Sequence, residues 1–454
     1  MFASLTIFVA ISGLGLAIGI ARLRRCDWNV FDPIAAFWIG FAVYYGLGNI
    51  WFCIELIGNG HYSNGGLEID LPVETQLDQL VEVAILATSY GAMVALGMFG
   101  PLGRFSTTAA GPIARRLSAA ADLPWALVAT LAMAHWLQQL GLIPSVGTTL
   151  PSVVLVIPSA CSLAMNAKLS HVAAIRLSAR WIAVALGVVV LSAVAGATTG
   201  MKQAIVMPCV AAFGGFMLGA RRPWPIIAAI AVSLPAFVVL QEWNQSLRSL
   251  IWSPDATYSS TERIAALGDA AALVREDDRA ESSLKGLSRL CTAVPMMQTM
   301  ELVRREEGVP AMDGLIIPHV PRAIWPGKPQ VVVGEVLYSR FSGNPGGSSS
   351  SPGQPAEAFM YGGWLGVLAI GAAMGCLAAS ASAVISQLWA TRRAAALGTL
   401  SLITINFGKC ENWLWAYVPS VVGCVAILVT LQVLAGMLGK AGSTGVRDRP
   451  SEAG

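Results

Sequence analysis

Apolar runs of about 17–25 residues recur along most of this chain, each long enough to cross ~30 Å of hydrocarbon as a helix. A backbone inside lipid must satisfy its own hydrogen bonds, so such runs are read as helices rather than open strands. Of the 454 residues, 55% are hydrophobic and only 12% charged. That is about half the charge a soluble domain carries, and the mean hydropathy is +0.64. The sequence therefore predicts an all-α polytopic membrane protein.

The runs fall at about 3–21, 33–57, 79–99, 123–142, 150–167, 181–199, 203–220 and 224–241, then at about 361–386, 395–408 and 417–438. This gives about eleven transmembrane helices, the run at 395–408 being the shortest. The first run ends in Arg22, Arg24 and Arg25 rather than at a small-residue site, so no cleavable signal peptide is expected. Basic residues near helix ends mark the cytoplasmic side. With the amino terminus outside, alternation places sixteen Lys and Arg in the inner segments. The short outer loops keep only Lys202 and Lys409. The carboxyl terminus is then inside. The expected organisation is helices 1–8 over 1–241, a large extracytoplasmic loop over 242–358, helices 9–11 over 359–440 and a cytoplasmic tail over 441–454.

The loop has 11 basic and 14 acidic residues, so it is not a simple cationic patch. Helices are expected at about 261–280 and 284–306, the second from the spacing of Leu287, Leu290, Val294, Met297 and Leu302. The segment Ile317-Pro318-His319-Val320-Pro321-Arg322-Ala323-Ile324-Trp325-Pro326-Gly327-Lys328-Pro329 follows. Its four prolines exclude helix and impose a stiff, extended backbone. Arg322 and Lys328 flank Trp325 on that backbone, which suits either a phosphate or sugar binder or a solvated Pro-rich turn. Gly343 to Gly353 reads as a flexible stretch, either a lid or a tether.

Several chemistries are excluded by their missing motifs: no Walker A loop, nucleotide fingerprint, HExxH or nucleophile elbow is present. The histidines at 61, 135, 171 and 319 and the eight cysteines show no metal-ligand spacing. Cys291 and Cys410 fall in outer loops, but a disulfide between them is not expected. Glu55 and Glu82 stand near outer helix ends, either lining a polar cavity or touching water. No internal repeat of the transporter type is found. The outer cations Lys202, Arg263, Arg289, Arg322, Lys328, Arg340 and Lys409 suit a lipid-linked phosphate, gripped by forked guanidinium contacts.

Pro321-Arg322-Ala323-Ile324-Trp325-Pro326-Gly327-Lys328-Pro329, followed by Ser350-Ser351-Pro352-Gly353-Gln354-Pro355-Ala356-Glu357-Ala358-Phe359-Met360-Tyr361-Gly362-Gly363-Trp364-Leu365-Gly366, resembles the Wzy-type oligosaccharide repeat-unit (O-antigen) polymerases. The hairpin Thr199-Gly200-Met201-Lys202 resembles that family's short basic turn. Ala356 departs from the glycine that commonly precedes the glutamate. The resemblance implies a membrane-embedded glycosyltransferase of the C type, acting on the periplasmic side of a bacterial inner membrane in surface polysaccharide or lipopolysaccharide biosynthesis. It would move a growing glycan from polyprenyl (undecaprenyl) diphosphate to the sugar of another lipid-linked repeat unit.

On that resemblance Arg322, Lys328, Arg289 and Lys202 hold the donor diphosphate, and Trp325 and Tyr361 contact glycan. Glu357 activates the acceptor hydroxyl, with Glu335 as the second candidate; Glu357 could instead pair with an arginine. No metal or cofactor is required, since the cations stabilise the leaving group. The implied partners are the lipid-linked oligosaccharide, membrane lipids and a chain-length regulator, with no nucleic acid. An O-antigen ligase using the same donor with a lipid A core acceptor is the nearest alternative. A flippase or transporter is less favoured, because the ionisable residues crowd the outer loop.

Overall fold

The structure is a computed structural model of the chain. It describes residues 2–59, 73–119, 123–143, 152–199, 202–220, 260–276, 290–305, 351–391 and 394–409, with short stretches and single positions between them. Apart from a two-residue antiparallel pair, Ser63–Asn64 with Leu67–Glu68, the regular structure among the described residues is helical. Among the described residues, five helices are long and apolar enough to cross a membrane: Phe2–Arg25, Pro33–Gly58, Asp78–Phe99, Ala179–Ala197 and Gly353–Leu388. The chain is a multi-pass, all-α membrane protein.

In chain order the helices are α1 (Phe2–Arg25), α2 (Pro33–Phe41), α3 (Gly48–Asn59), α4 (Val73–Phe99), α5 (Pro101–Ala119), α6 (Trp125–Gln139) and α7 (Ser152–Arg176). They continue as α8 (Ala179–Ala197), α9 (Lys202–Ala220), α10 (Ser260–Glu276), α11 (Ala293–Arg304), α12 (Gly353–Thr391) and α13 (Ala394–Gly408). A π-helical turn, Ala42–Leu47, joins α2 to α3. The expected runs at 224–241 and 417–438 lie outside the described residues but for isolated positions. Inside the 242–358 segment, α10 overlaps the helix expected at 261–280, and α11 begins only at Ala293, with Leu290–Thr292 non-helical, later than the start expected at 284.

Two departures matter. The segment bearing Arg104 and Arg115, expected to be a connection, is helix α5. It starts just after Gly100, whose N–H still bonds the Leu96 carbonyl at 2.8 Å, with Pro101 at its first position. Proline fits there because the first turn needs no N–H partner. The second departure is α12, which begins at Gly353 and so inside the expected loop. It carries non-helical backbone at Gly362 and Gly363.

Asp32 caps α2 by accepting the Ala35 N–H at 3.0 Å, with Pro33 following. The same carboxylate takes Arg22 Nε at 3.2 Å and Nη2 at 3.1 Å, and Arg22 also donates to Ser382 Oγ at 2.8 Å. Ser382 donates to Asp32 at 2.5 Å. This buried knot fastens α1, α2 and α12. Phe31 beside it lies against Gly214 of α9, and its carbonyl accepts Thr404 of α13 at 2.7 Å. Gly219 of α9 packs on Ala174 near the end of α7. Ser106 of α5 donates to the Cys376 carbonyl at 2.9 Å and also meets Ser380, two residues from Ser382. The basic ends of α1 and α7, the end of α9 that precedes Arg222, and the arginine-bearing α5 therefore gather at one end of the bundle.

Candidate functional site

An aromatic ladder on one face of α2 leads into the site. Phe37 stacks on Phe41 at 5.7 Å between centroids, and Phe41 leans on Tyr45 at 4.9 Å. Tyr45 sits in the π-helical turn, a local widening often found at functional sites. Its hydroxyl accepts the N–H of Gln354 at 3.0 Å and so caps the start of α12. Tyr90 of α4 donates its hydroxyl to Gln354 Oε1 at 3.0 Å.

These contacts reveal how α12 is built. The backbone carbonyl of Tyr90 lies beside Gly371, while its hydroxyl reaches Gln354. In a straight helix those two residues would stand about 26 Å apart, far beyond the span of one tyrosine. Residues 353–361 instead form a short arm that folds back on the long arm, 364–391. A Cβ on Gly366 would collide with the Ala358 carbonyl, as two arms in close antiparallel contact require. Gly363 makes the reversal at φ 57° and ψ −144°, a backbone suited to glycine. At the arm's other end Gly353 has φ 77°, and any Cβ there would press on the Tyr45 hydroxyl. The short arm is thus tucked inside the bundle, starting at the depth of Tyr45 and Tyr90.

Glu357 lies in the middle of this arm and is fully buried. Tyr361, one turn later, donates its hydroxyl to Oε1 at 2.7 Å. The backbone N–H of Leu414, beyond the end of α13, donates to Oε2. These two donors hold the side chain in one orientation.

A second set of contacts docks the loop helix α11 onto the membrane helices. Asn49 Oδ1 accepts the N–H of Thr292 at 3.1 Å and that of Ala293 at 2.9 Å, with the Thr292 hydroxyl at 3.4 Å. The Cys291 thiol points to the same oxygen at 3.7 Å. Asn49 thereby caps α11 from another helix. Gly48 allows this approach, since a Cβ there would strike the Leu290 carbonyl. Near the far end of α11, Arg304 pairs with Glu82 of α4. Glu55 accepts Trp51 Nε1 at 2.9 Å.

Of the residues singled out from the sequence, the structure brings Glu357 and Tyr361 together. The Tyr361 hydroxyl is engaged by Glu357. Trp325 is 41% exposed. Arg322, Lys328, Arg289 and Glu335 lie outside the described residues, as does Cys410. Lys202 opens α9, but its side chain is also outside them. Tyr45, Asn49, Tyr90 and Gln354 were not singled out. Asn49 is the one with a usable signal, as an amide inside an apolar run that must find a partner. Among the described residues, no group of three or more His, Cys, Asp or Glu could hold a metal.

No family model, no curated protein and no solved structure matches this chain.

Proposed function

We propose that this protein is a repeat-unit polymerase of a bacterial surface polysaccharide. It transfers a growing glycan from a polyprenyl diphosphate carrier to the sugar of another lipid-linked repeat unit at the outer face of the inner membrane. The observation that carries the reading is Glu357, a buried carboxylate held by Tyr361 and Leu414 on an arm that begins at Gly353, downstream of the Pro321–Pro329 segment. In this reading Glu357 is the base for the acceptor hydroxyl, and the departing diphosphate is held by Arg322 and Lys328, with Arg289 and Lys202 beside them. Trp325 and Tyr361 line the glycan path.

A transporter of lipid-linked glycan is the second reading. The folded-back arm and its interior carboxylate favour it, because broken helices commonly surround a transported substrate. Deletion of the gene followed by a gel of surface glycan separates the readings. One repeat unit on the lipid core supports the polymerase. Unattached polymer on its carrier supports the ligase alternative instead, and complete loss of the repeat unit supports the transporter.

A further inference from the structure

The short arm of α12 carries one polar stripe. Gln354, Glu357 and Tyr361 are spaced three and then four residues apart. At 100° per residue they fall within about 60° of one another around the arm. Tyr361 stands nearest the reversal at Gly363 and is half-buried, while Glu357 and Gln354 are both 0% exposed. Gln354 is the deepest of the three, level with Tyr45 and Tyr90.

Gln354 is held from two sides. Its backbone N–H donates to the Tyr45 hydroxyl and its Oε1 accepts the Tyr90 hydroxyl, each at 3.0 Å. Its Nε2 is buried and has no hydrogen-bond partner among the described residues. Turning the amide over would only bring Oε1 into the same place without a donor. Native interiors leave few polar atoms in this condition, because each forfeits its bond to water for nothing in return. The orphan also sits on a side chain that Tyr90 holds in place, so it is a fixed donor.

The neighbouring groups indicate what that donor takes. Residues three apart on a helix have Cβ atoms about 5–6 Å from each other. The amide of Gln354 and the carboxyl group of Glu357 therefore offer a donor and an acceptor at a separation that one saccharide unit bridges. A sugar suits such a pair, since each of its hydroxyl groups both gives and accepts hydrogen bonds. The arm from Gly353 to Tyr361 contains no Lys or Arg, so it is not built for a phosphate.

We propose that the Gln354 amide is a contact for the acceptor saccharide, donating to an oxygen of the sugar whose hydroxyl meets Glu357. The inference rests on the polymerase reading of Glu357. Both groups are enclosed in this structure, so the approach that uncovers Glu357 for a sugar serves Gln354, one turn deeper on the same stripe. Gln354 moves no proton; it sets which acceptor binds and how the sugar lies.

The probe is the repeat-unit oligosaccharide released by mild acid from its carrier in a strain lacking the gene. It carries no diphosphate and so reports glycan contacts alone. Its dissociation constant is measured on the purified full-length protein, beside elongation of the lipid-linked form. Gln354→Met keeps the length of the side chain and removes the amide, and should weaken oligosaccharide binding about tenfold. Wild-type affinity in a Gln354→Met protein that keeps the wild-type unfolding temperature would overturn the inference, and would mean that a buried water satisfies the amide. The polymerase reading would survive that result if Glu357→Gln still stops elongation. Full-length glycan in the deletion strain would overturn both. If Gln354→Met does not fold, adding Tyr90→Phe replaces both ends of their bond with apolar groups, and the same loss of affinity is expected. A repeat unit with a photoreactive group on its sugar completes the test on the wild-type protein. Its adducts should fall on residues 351–361, and adducts elsewhere, or no binding at all, refute the contact.

Discussion

Glu357 combines complete burial with donors aimed at each of its oxygens, so its carboxyl group is held in one orientation inside the bundle. Glu357→Gln preserves the size and removes the proton acceptor. Elongation of surface glycan should cease, while a purified protein still binds lipid-linked donor. Elongation at the wild-type rate would leave Glu357 with a packing role only. Arg322→Lys keeps the charge but loses the forked geometry that suits diphosphate oxygens. A contact made mainly in the transition state contributes about 3 kcal/mol, so the rate should fall ~10²-fold. Lys328→Arg should be milder, since lysine there acts as a point charge. Both measurements require membrane levels equal to the wild type. Asn49 has a structural role: Asn49→Ala would strip the acceptor from Thr292 and Ala293, at a cost of about 2 kcal/mol. A lower unfolding temperature in detergent and faster labelling of Cys291 should appear together. An unchanged melting curve would mean that α11 docks by its apolar face alone.

At the scale of the elements, the folded-back arm depends on two glycines used differently. Gly363→Ala adds strain from a backbone that a Cβ disfavours, about 1–2 kcal/mol. Gly353→Ala adds the same kind of strain and also drives a methyl against the Tyr45 hydroxyl. Gly353→Ala should therefore lower the unfolding temperature more than Gly363→Ala. Tyr45→Phe should recover part of that loss by removing the oxygen, and a failure to recover would show that the collision is not with Tyr45. This arm was not legible in the sequence. The apolar run at 361–386 announced the long arm correctly, because a helix in lipid is written in composition. The pair Gly362-Gly363 was visible, but a glycine pair is equally compatible with a straight helix entry. What reverses the chain is tertiary: the cap from Tyr45, the bond from Tyr90 to the Gln354 side chain and the seat for the Ala358 carbonyl at Gly366. Glu357 was legible only through its place in the resembling motif, and nothing in the sequence foretold its partner Leu414. Helix α5 was missed for a different reason. Its arginines and its serine and threonine hydroxyls make it too polar for a span.

At the scale of the whole molecule, the charge pattern and the packing agree on one division. Lys and Arg near helix ends imply a two-sided molecule before any contact is considered. In the fold, Arg22 binds Ser382, Ser106 meets Ser380, Phe31 touches Gly214, and Gly219 packs beside the end of α7. These contacts bring the basic ends of α1 and α7, the end of α9 that precedes Arg222 and the arginine-bearing α5 to one end. At the other end α11 is fastened to Asn49 and Glu82. The membrane potential and the anionic inner leaflet both favour retaining the arginines on the cytoplasmic side. A reporter active only in the periplasm should thus be active when fused after about residue 300 and silent when fused after Lys440. A cysteine introduced at Thr108 on α5 should be protected from an impermeant thiol reagent in intact cells, and labelled once the membrane is opened. A periplasmic signal from the Lys440 fusion alone would mean that the segments beyond α12 cross differently. Silence at residue 300 together with labelling at Thr108 in intact cells would invert the molecule, and would place Glu357 and the motif before it on the wrong face for a periplasmic glycan transfer.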